Sequence, residues 1–134
     1  MWLIIKFNFM FKVKINFLND LDQQENLFML VKSESFTECE TVVTKFCEEQ
    51  FKQFSVESIL NQKANEVFKK EDGLFFEVKI SINVGEGKSS KVIFFIQEDS
   101  FKDVLAFTEN IIKVENLDAK IVKIEEKQIK YYLD

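Results

Sequence analysis

One pattern is written twice in this chain, 65 residues apart, and that repetition restricts the fold more than any other feature of the sequence. The stretch Leu27 to Glu40 joins an apolar run, Leu27-Phe28-Met29-Leu30-Val31, to Ser35-Phe36-Thr37-Glu38. It returns as Val92-Ile93-Phe94-Phe95-Ile96 followed by Ser100-Phe101-Lys102-Asp103. Upstream, Phe11-Lys12-Val13-Lys14-Ile15 aligns with Phe76-Glu77-Val78-Lys79-Ile80, and downstream Val56 and Ile59 meet Ile121 and Ile124. Two copies are too few for a solenoid, which needs at least three repeats to bury a continuous core.

Each copy has its own local logic. From Lys6 to Phe17 the odd positions Phe7, Phe9, Phe11, Val13, Ile15 and Phe17 are apolar and the even ones mostly Lys or Asn. That period of two predicts a strand with one buried face. Asn19 to Asn26 is polar and turn-rich, so Leu27 to Val31 should fold back as the second arm of a hairpin. Ser35-x-x-Glu38 is a capping box, whose hydroxyl and carboxylate satisfy N–H groups left unpaired by the first helical turn. Phe36, Cys39, Val43, Phe46, Cys47 and Phe51 then recur at helical spacing, opposite Glu38, Glu40, Thr44, Lys45, Glu48, Glu49 and Lys52. A third strand is expected near Ser55 to Leu60, extending irregularly towards Phe68. Lys69 to Gly73, with its Asp-Gly turn signal, marks the main internal boundary. Lys127 to Asp134 reads as an edge strand or a docked tail.

The expected fold is therefore α+β. A strand-strand-helix-strand unit is used twice (about 10–69 and 74–134) in a single domain spanning 1–134, with one sheet covered on one face by two helices and with 1–9 as an N-terminal strand extension. At 134 residues the chain is long enough for a real core. Lys6, Asn8, Lys12, Lys14 and Asn16 interrupt the apolar N-terminal stretch, which reads as a strand and not as a signal peptide or membrane span.

Ser35 to Glu40 resembles the Ser-Phe-Thr-Glu-Ala-Glu segment of a family of small uncharacterised proteins from Bacteroidetes and their phages, classed as a domain of unknown function. The similarity covers most of the chain from about Met10, including the turn before Phe75-Phe76-x-Val78-Lys79 and the second capped helix. Cys39 stands where the family usually has Ala, and Met1 to Phe9 looks like an addition. The resemblance implies a phage or bacterial source and carries over no catalytic residues or cofactor.

Composition narrows the chemistry. All 18 basic residues are Lys; Arg, His and Pro do not occur, a bias that suits an AT-rich gene. Without Arg there is no guanidinium fork, and without His no imidazole shuttle or ligand. Cys39 and Cys47 lie on one helix, too far apart along its axis to bridge, which suits a reducing cytoplasm. They lack a CxxC spacing or a His partner and read as small buried hydrophobes. Gly85-Glu86-Gly87-Lys88-Ser89 has the letters of a phosphate loop but not its spacing or its following helix, so it reads as a hairpin loop. The helix carboxylates are spread along a solvated face, not gathered in a cation loop.

No catalytic, metal or cofactor site is expected, and no small-molecule substrate is inferred. The leading expectation is a non-enzymatic binding module, a phage-encoded or mobile-element accessory acting through a protein partner or self-association. The N-terminal strand could pair with the sheet edge of a second chain. The alternative is binding of single-stranded DNA or RNA by a Lys-lined sheet face bearing Lys6, Lys12, Lys14 and Lys79, extended by Lys88 and Lys91. The net charge of −5 opposes indiscriminate binding of that kind.

Overall fold

The computed structural model of the chain describes residues 9–134. They form two compact units, the first made of 9–63 together with 128–134 and the second of 64–127. Each unit holds one helix and one four-stranded sheet, so the architecture is α+β.

In the first unit, β1 (Met10–Leu18) and β2 (Gln24–Lys32) form an antiparallel hairpin. Asn19 closes it: its side-chain oxygen accepts from the Leu21 and Gln23 N–H groups at 2.8 and 2.9 Å, and Asp22 takes a left-handed φ of 57°. This side-chain turn lets β2 begin at Gln24, before the apolar run proper. Helix α1 (Phe36–Gln50) follows, and β3 (Phe54–Asn61) pairs antiparallel with β1. Ser35 caps α1, its hydroxyl oxygen accepting from the Glu38 N–H at 3.1 Å. The odd residues of β1 alternate inward, and Phe11, Val13 and Ile15 form a core with Met29 and Val31 of β2 and Cys39, Val43 and Cys47 of α1.

The second unit repeats these elements. In chain order it contains β4 (Glu66–Phe68), β5 (Leu74–Gly85), β6 (Lys88–Glu98), helix α2 (Phe101–Val114) and β7 (Ala119–Lys127). Strands β5 and β6 are antiparallel and β7 pairs antiparallel with β5. The tip is the two-residue turn Glu86-Gly87, both at positive φ, as a hairpin of right-handed twist requires. Phe76, Val78, Ile80, Ile82, Val92, Phe94 and Ile96 pack with Val104 of α2 and Leu117. Gly73 precedes β5 at φ 131°, and a Cβ there would sit 3.0 Å from the Glu98 carbonyl oxygen, so the Asp-Gly turn has room only for glycine.

The correspondence extends to individual pairs. Phe11↔Asn61 and Val13↔Ile59 in the first sheet recur as Phe76↔Glu126 and Val78↔Ile124 in the second. The ladder slips between Lys14 and Ile15 in one and between Lys79 and Ile80 in the other, leaving Glu57 and Val122 as the bulged residues. Cap geometry matches too, with Ser35 at φ −151°, ψ 161° and Ser100 at φ −153°, ψ 164°.

Two findings depart from the sequence reading. In place of one sheet there are two of four strands, ordered β3-β1-β2-β8 and β4-β6-β5-β7, where β8 is Tyr131–Leu133. Each sheet has its own helix and its own apolar cluster, which removes the need for a shared sheet. The fourth strand of each sheet also comes from the opposite half of the chain. Segment 66–68 leaves the first half to lie parallel to β6, through Glu66↔Phe94 and Phe68↔Ile96. Segment 131–133 leaves the second half to lie parallel to β2, through Met29↔Tyr131 and Val31↔Leu133. The division between units consequently falls at 63/64 and not at the Asp-Gly turn.

Candidate functional site

The residues facing away from the helices are where the two sheets diverge. In the first sheet this face carries Lys12 beside Leu60 and Leu30, and Lys14 beside Ser58 and Phe28. The Lys12 ammonium sits 4.7 Å from the centre of the Phe28 ring, a cation–π contact. Among the described residues neither Lys12 nor Lys14 takes part in an ion pair. Leu60 is 60 % exposed on the edge strand β3. The result is a patch of two cations set in apolar and aromatic surface.

In the second sheet the corresponding face carries a charge lattice. Glu77 lies opposite Glu125, and Lys79 opposite Lys123, in adjacent rows. Like charges directly across a ladder are unfavourable, and the lattice offsets this along the strands. Lys79 reaches Glu77 at 3.9 Å, Lys123 reaches Glu125 at 3.0 Å, and Lys127 also pairs with Glu125. Hydrogen bonds from Lys127 and Lys123 hold the Glu125 carboxyl down to about 2, and the same bond raises Lys127 above the ordinary lysine value. Glu77 is 8 % exposed, the most buried charged group of the lattice.

Of the lysines expected on a single face, Lys12 and Lys14 lie together on β1 of the first unit. Lys79 and Lys91 share the outward face of the second sheet, Lys91 pairing with Ser81. Lys88 stands at the start of β6, beside the hairpin tip. Lys6 and the 1–9 extension up to residue 8 lie outside the described residues. The faces are also less open than alternation alone suggests: Met10 and Leu30 in one sheet, Phe75 and Phe95 in the other, point away from the helices and are buried. Sequence reasoning missed Glu77, Lys123, Glu125 and Lys127, although the charge alternation Lys123-Ile124-Glu125 beside Glu77-Val78-Lys79 was there to be matched.

A second repeated feature is a polar cleft between the hairpin end and the start of the following strand. In the first unit it is about 500 Å³ and includes Asn16, Gln24, Gln53 and Ser55; in the second it is about 300 Å³ and includes Ser81, Ser89, Asp118 and Lys120 at the equivalent positions. The backbone beneath is the same, Leu18 N–H donating to the Gln53 carbonyl and Asn83 N–H to that of Asp118. The side chains are not, so the clefts share shape without sharing chemistry. Lys88 and Lys120 lean on the second cleft, but Asp118, bonded to the Asn83 amide at 2.9 Å, offsets their charge.

Both thiols are fully buried, and burial pushes Cys39 and Cys47 up to about 11, with Glu40 adding to the rise at Cys39. They are free cysteines with packing roles. No cluster of three or more His, Cys, Asp or Glu side chains suited to a metal occurs among the described residues, and no described helix is long and apolar enough to cross a membrane. Phe36, expected on the buried stripe of α1, is 52 % exposed, and its counterpart Phe101 is 55 % exposed. Each occupies the first position of its helix, ahead of the turn that first meets the core.

These observations define an α+β protein with two matched helix-and-sheet units whose sheet faces turned away from the helices differ in chemistry. The chain belongs to the family described as domain of unknown function DUF4494, whose model matches residues 8–133 and so takes in both units. No curated protein and no solved structure matches the chain.

Proposed function

We propose that this chain is a non-enzymatic binding module that acts by contacting a protein partner, a second copy of itself included, through the Lys12, Lys14, Phe28 and Leu60 patch. The observation that carries the reading is the contrast between faces: Lys12 and Lys14 of the first sheet stand in apolar surroundings without a carboxylate partner, while Lys79, Lys123 and Lys127 of the second each lie against a glutamate. Cations on an apolar patch suit a segment with both acidic and hydrophobic side chains. The matched registers and caps support descent of the two halves from one duplicated strand-strand-helix-strand unit, with the first face retained or adapted for binding. An Arg-free, Pro-free composition supports an AT-rich source such as a phage or mobile element of Bacteroidetes, and two unbridged thiols support a cytoplasmic setting.

The test separates protein from nucleic acid. The immobilised chain is exposed to a cell extract alongside Lys12→Glu/Lys14→Glu and Lys88→Glu/Lys91→Glu variants. A specific protein retained by the wild type and the second variant, and lost by the first, is the expected result; retention that ignores Lys12 and Lys14 would sink the assignment. Labelled oligothymidylate is titrated in parallel. Two free lysines predict a weak salt dependence, with a log–log slope of roughly −1.4 for a single strand. A slope several times steeper, reduced by the Lys88→Glu/Lys91→Glu change, would transfer the function to nucleic-acid binding.

A further inference from the structure

The end of the first unit that holds the β1–β2 turn contains a cavity of about 550 Å³. Three parts of the chain line it: Phe17, Asp20 and Asp22 from the hairpin end, Phe51 and Lys52 from the exit of α1, and Tyr131 from β8. The Phe17 and Phe51 rings stack, their centres 4.4 Å apart and their planes tilted by 31°. Asp20 and Asp22 are exposed, and among the described residues neither carboxylate takes part in a hydrogen bond or an ion pair.

The helix end beside the cavity is short of donors. In the second unit α2 closes with Asn116 at φ 53°, and the Asn116 and Leu117 N–H groups donate to the Lys113 and Ile112 carbonyls at 3.1 and 2.9 Å. Lys113 also stands in its last turn. Helix α1 closes differently. Phe51 is extended at φ −129°, its N–H donates to the Cys47 carbonyl at 2.8 Å, and the last turn has no basic residue. Among the described residues no backbone N–H answers the carbonyls of Glu48, Glu49 and Gln50. Unanswered carbonyls and the negative end of the helix dipole both favour a cation with N–H groups to donate. The cavity's chemistry belongs to one copy alone. At the offset of 65, Phe17, Phe51, Asp20 and Asp22 correspond to Ile82, Asn116, Gly85 and Gly87, so the shared fold requires neither the rings nor the carboxylates.

We propose that this cavity binds a primary alkylammonium group, with the methylene stem against Phe17 and Phe51 and the ammonium head among Asp20, Asp22 and the open carbonyls of α1. Aromatic faces attract such a cation, and an ammonium brings three N–H donors to a site made of acceptors. An anion would meet two carboxylates. Lys52, exposed, is the one basic side chain in the lining and opposes the incoming charge. Free polyamines and the lysine side chains of proteins both present the group that the cavity recognises. The site lies apart from the Lys12 and Lys14 patch in the residues it uses, and stands whether or not that patch binds a protein.

The test is an NMR titration of the isotope-labelled full chain with butylammonium chloride at low salt. Saturable shifts at the Phe17, Phe51 and Tyr131 rings are expected, with a Kd on the order of millimolar. Tetramethylammonium, which has no N–H, should bind several-fold more weakly. Asp20→Asn/Asp22→Asn should weaken butylammonium binding about fivefold or more, and Phe51→Leu about two- to fivefold, while Lys52→Gln should tighten it about twofold. Asn tolerates the left-handed φ of 57° at position 22, so the double variant keeps the test decisive if Phe51→Leu does not fold. Shifts spread evenly over the protein's other carboxylates, or an affinity that neither the double variant nor a folded Phe51→Leu chain changes, would overturn the proposal. Spermidine and Nα-acetyl-lysine methylamide then separate the sources. Tighter binding of spermidine assigns the site to free amines, and tighter binding of the lysine derivative assigns it to a protein lysine. Binding of neither would overturn the proposal.

Discussion

In the second sheet Glu77 and Glu125 face each other, flanked by Lys79, Lys123 and Lys127; in the first sheet the same places hold Lys12, Leu60, Lys14, Ser58 and Gln62. The backbone registers are the same, down to the bulge at Glu57 and Val122. Only one face of each sheet is chemically alike in the two units, the face that packs under a helix, where Val13, Ile15 and Met29 answer to Val78, Ile80 and Phe94. The comparison teaches that packing against the helix is enough to hold the register. The opposite face can then differ, carrying a charge lattice in one unit and a cationic, apolar patch in the other.

The largest expected effect tests that claim at its centre. Met29 and Phe94 are equivalent, both fully buried in their own clusters. Phe94→Ala should cost about 3–5 kcal/mol and Met29→Ala about 2–5 kcal/mol, by transfer loss plus the cavity left behind. Denaturant unfolding followed by circular dichroism checks both, and a loss well below 1 kcal/mol at either site would break the equivalence of the two cores. Next come the two short parallel strands. Phe68→Ala removes two ring contacts and Tyr131→Ala one, so the first should cost roughly 1 kcal/mol more than the second, the worth of one aromatic pair.

The helix caps should show the smallest difference between copies. Ser35→Ala and Ser100→Ala each remove an acceptor for an N–H in the first turn, and each should cost about 1 kcal/mol. Unequal losses would sharpen the comparison by showing that the Ser100 hydroxyl, which also donates to Asp103 at 3.0 Å, has a further role. Smallest of all is the pH response of the lattice. Glu125 has a depressed carboxyl pKa, so its contribution to folding is present in full above the ordinary value of 4.5 and is lost as pH falls towards about 2. Because the group is exposed and screened, the effect on stability should be slight. A carbon-detected NMR titration should place its midpoint near 2, and Lys123→Gln should move it upwards; a midpoint at 4.5 in the wild type would remove the lattice as a fixed feature.

Much of this was legible in the residues. The offset of 65, the capped helices and the alternating strands follow from Ser35 and Ser100, from Phe11-Lys12-Val13-Lys14-Ile15, and from its counterpart at Phe76 to Ile80. The strand exchange was not. Glu66-Val67-Phe68 and Tyr131-Tyr132-Leu133 are three residues each, too short to display a period of two, and their parallel pairing depends on partners far away in the chain. Nor did alternation reveal that Leu30 and Phe95, on the faces away from the helices, are buried, which made those faces look like open lysine surfaces. The patch at Lys12 and Lys14 was visible as charge; its isolation from carboxylates became apparent only beside the lattice that neutralises Lys79.

The exchange of strands also sets a schedule for synthesis. The first helix and three strands of the first unit have all been made once residue 61 is added, yet the sheet's fourth strand is encoded at 131–133. At synthesis rates of about 5–20 residues per second, β2 spends on the order of 4–14 s with its outer edge unpaired. The second sheet has no such wait, because β4 is made before the strands it joins. A nascent chain of this protein is therefore most open to unwanted pairing in the half that was made first, and that sheet closes only once residues 131–133 have been made.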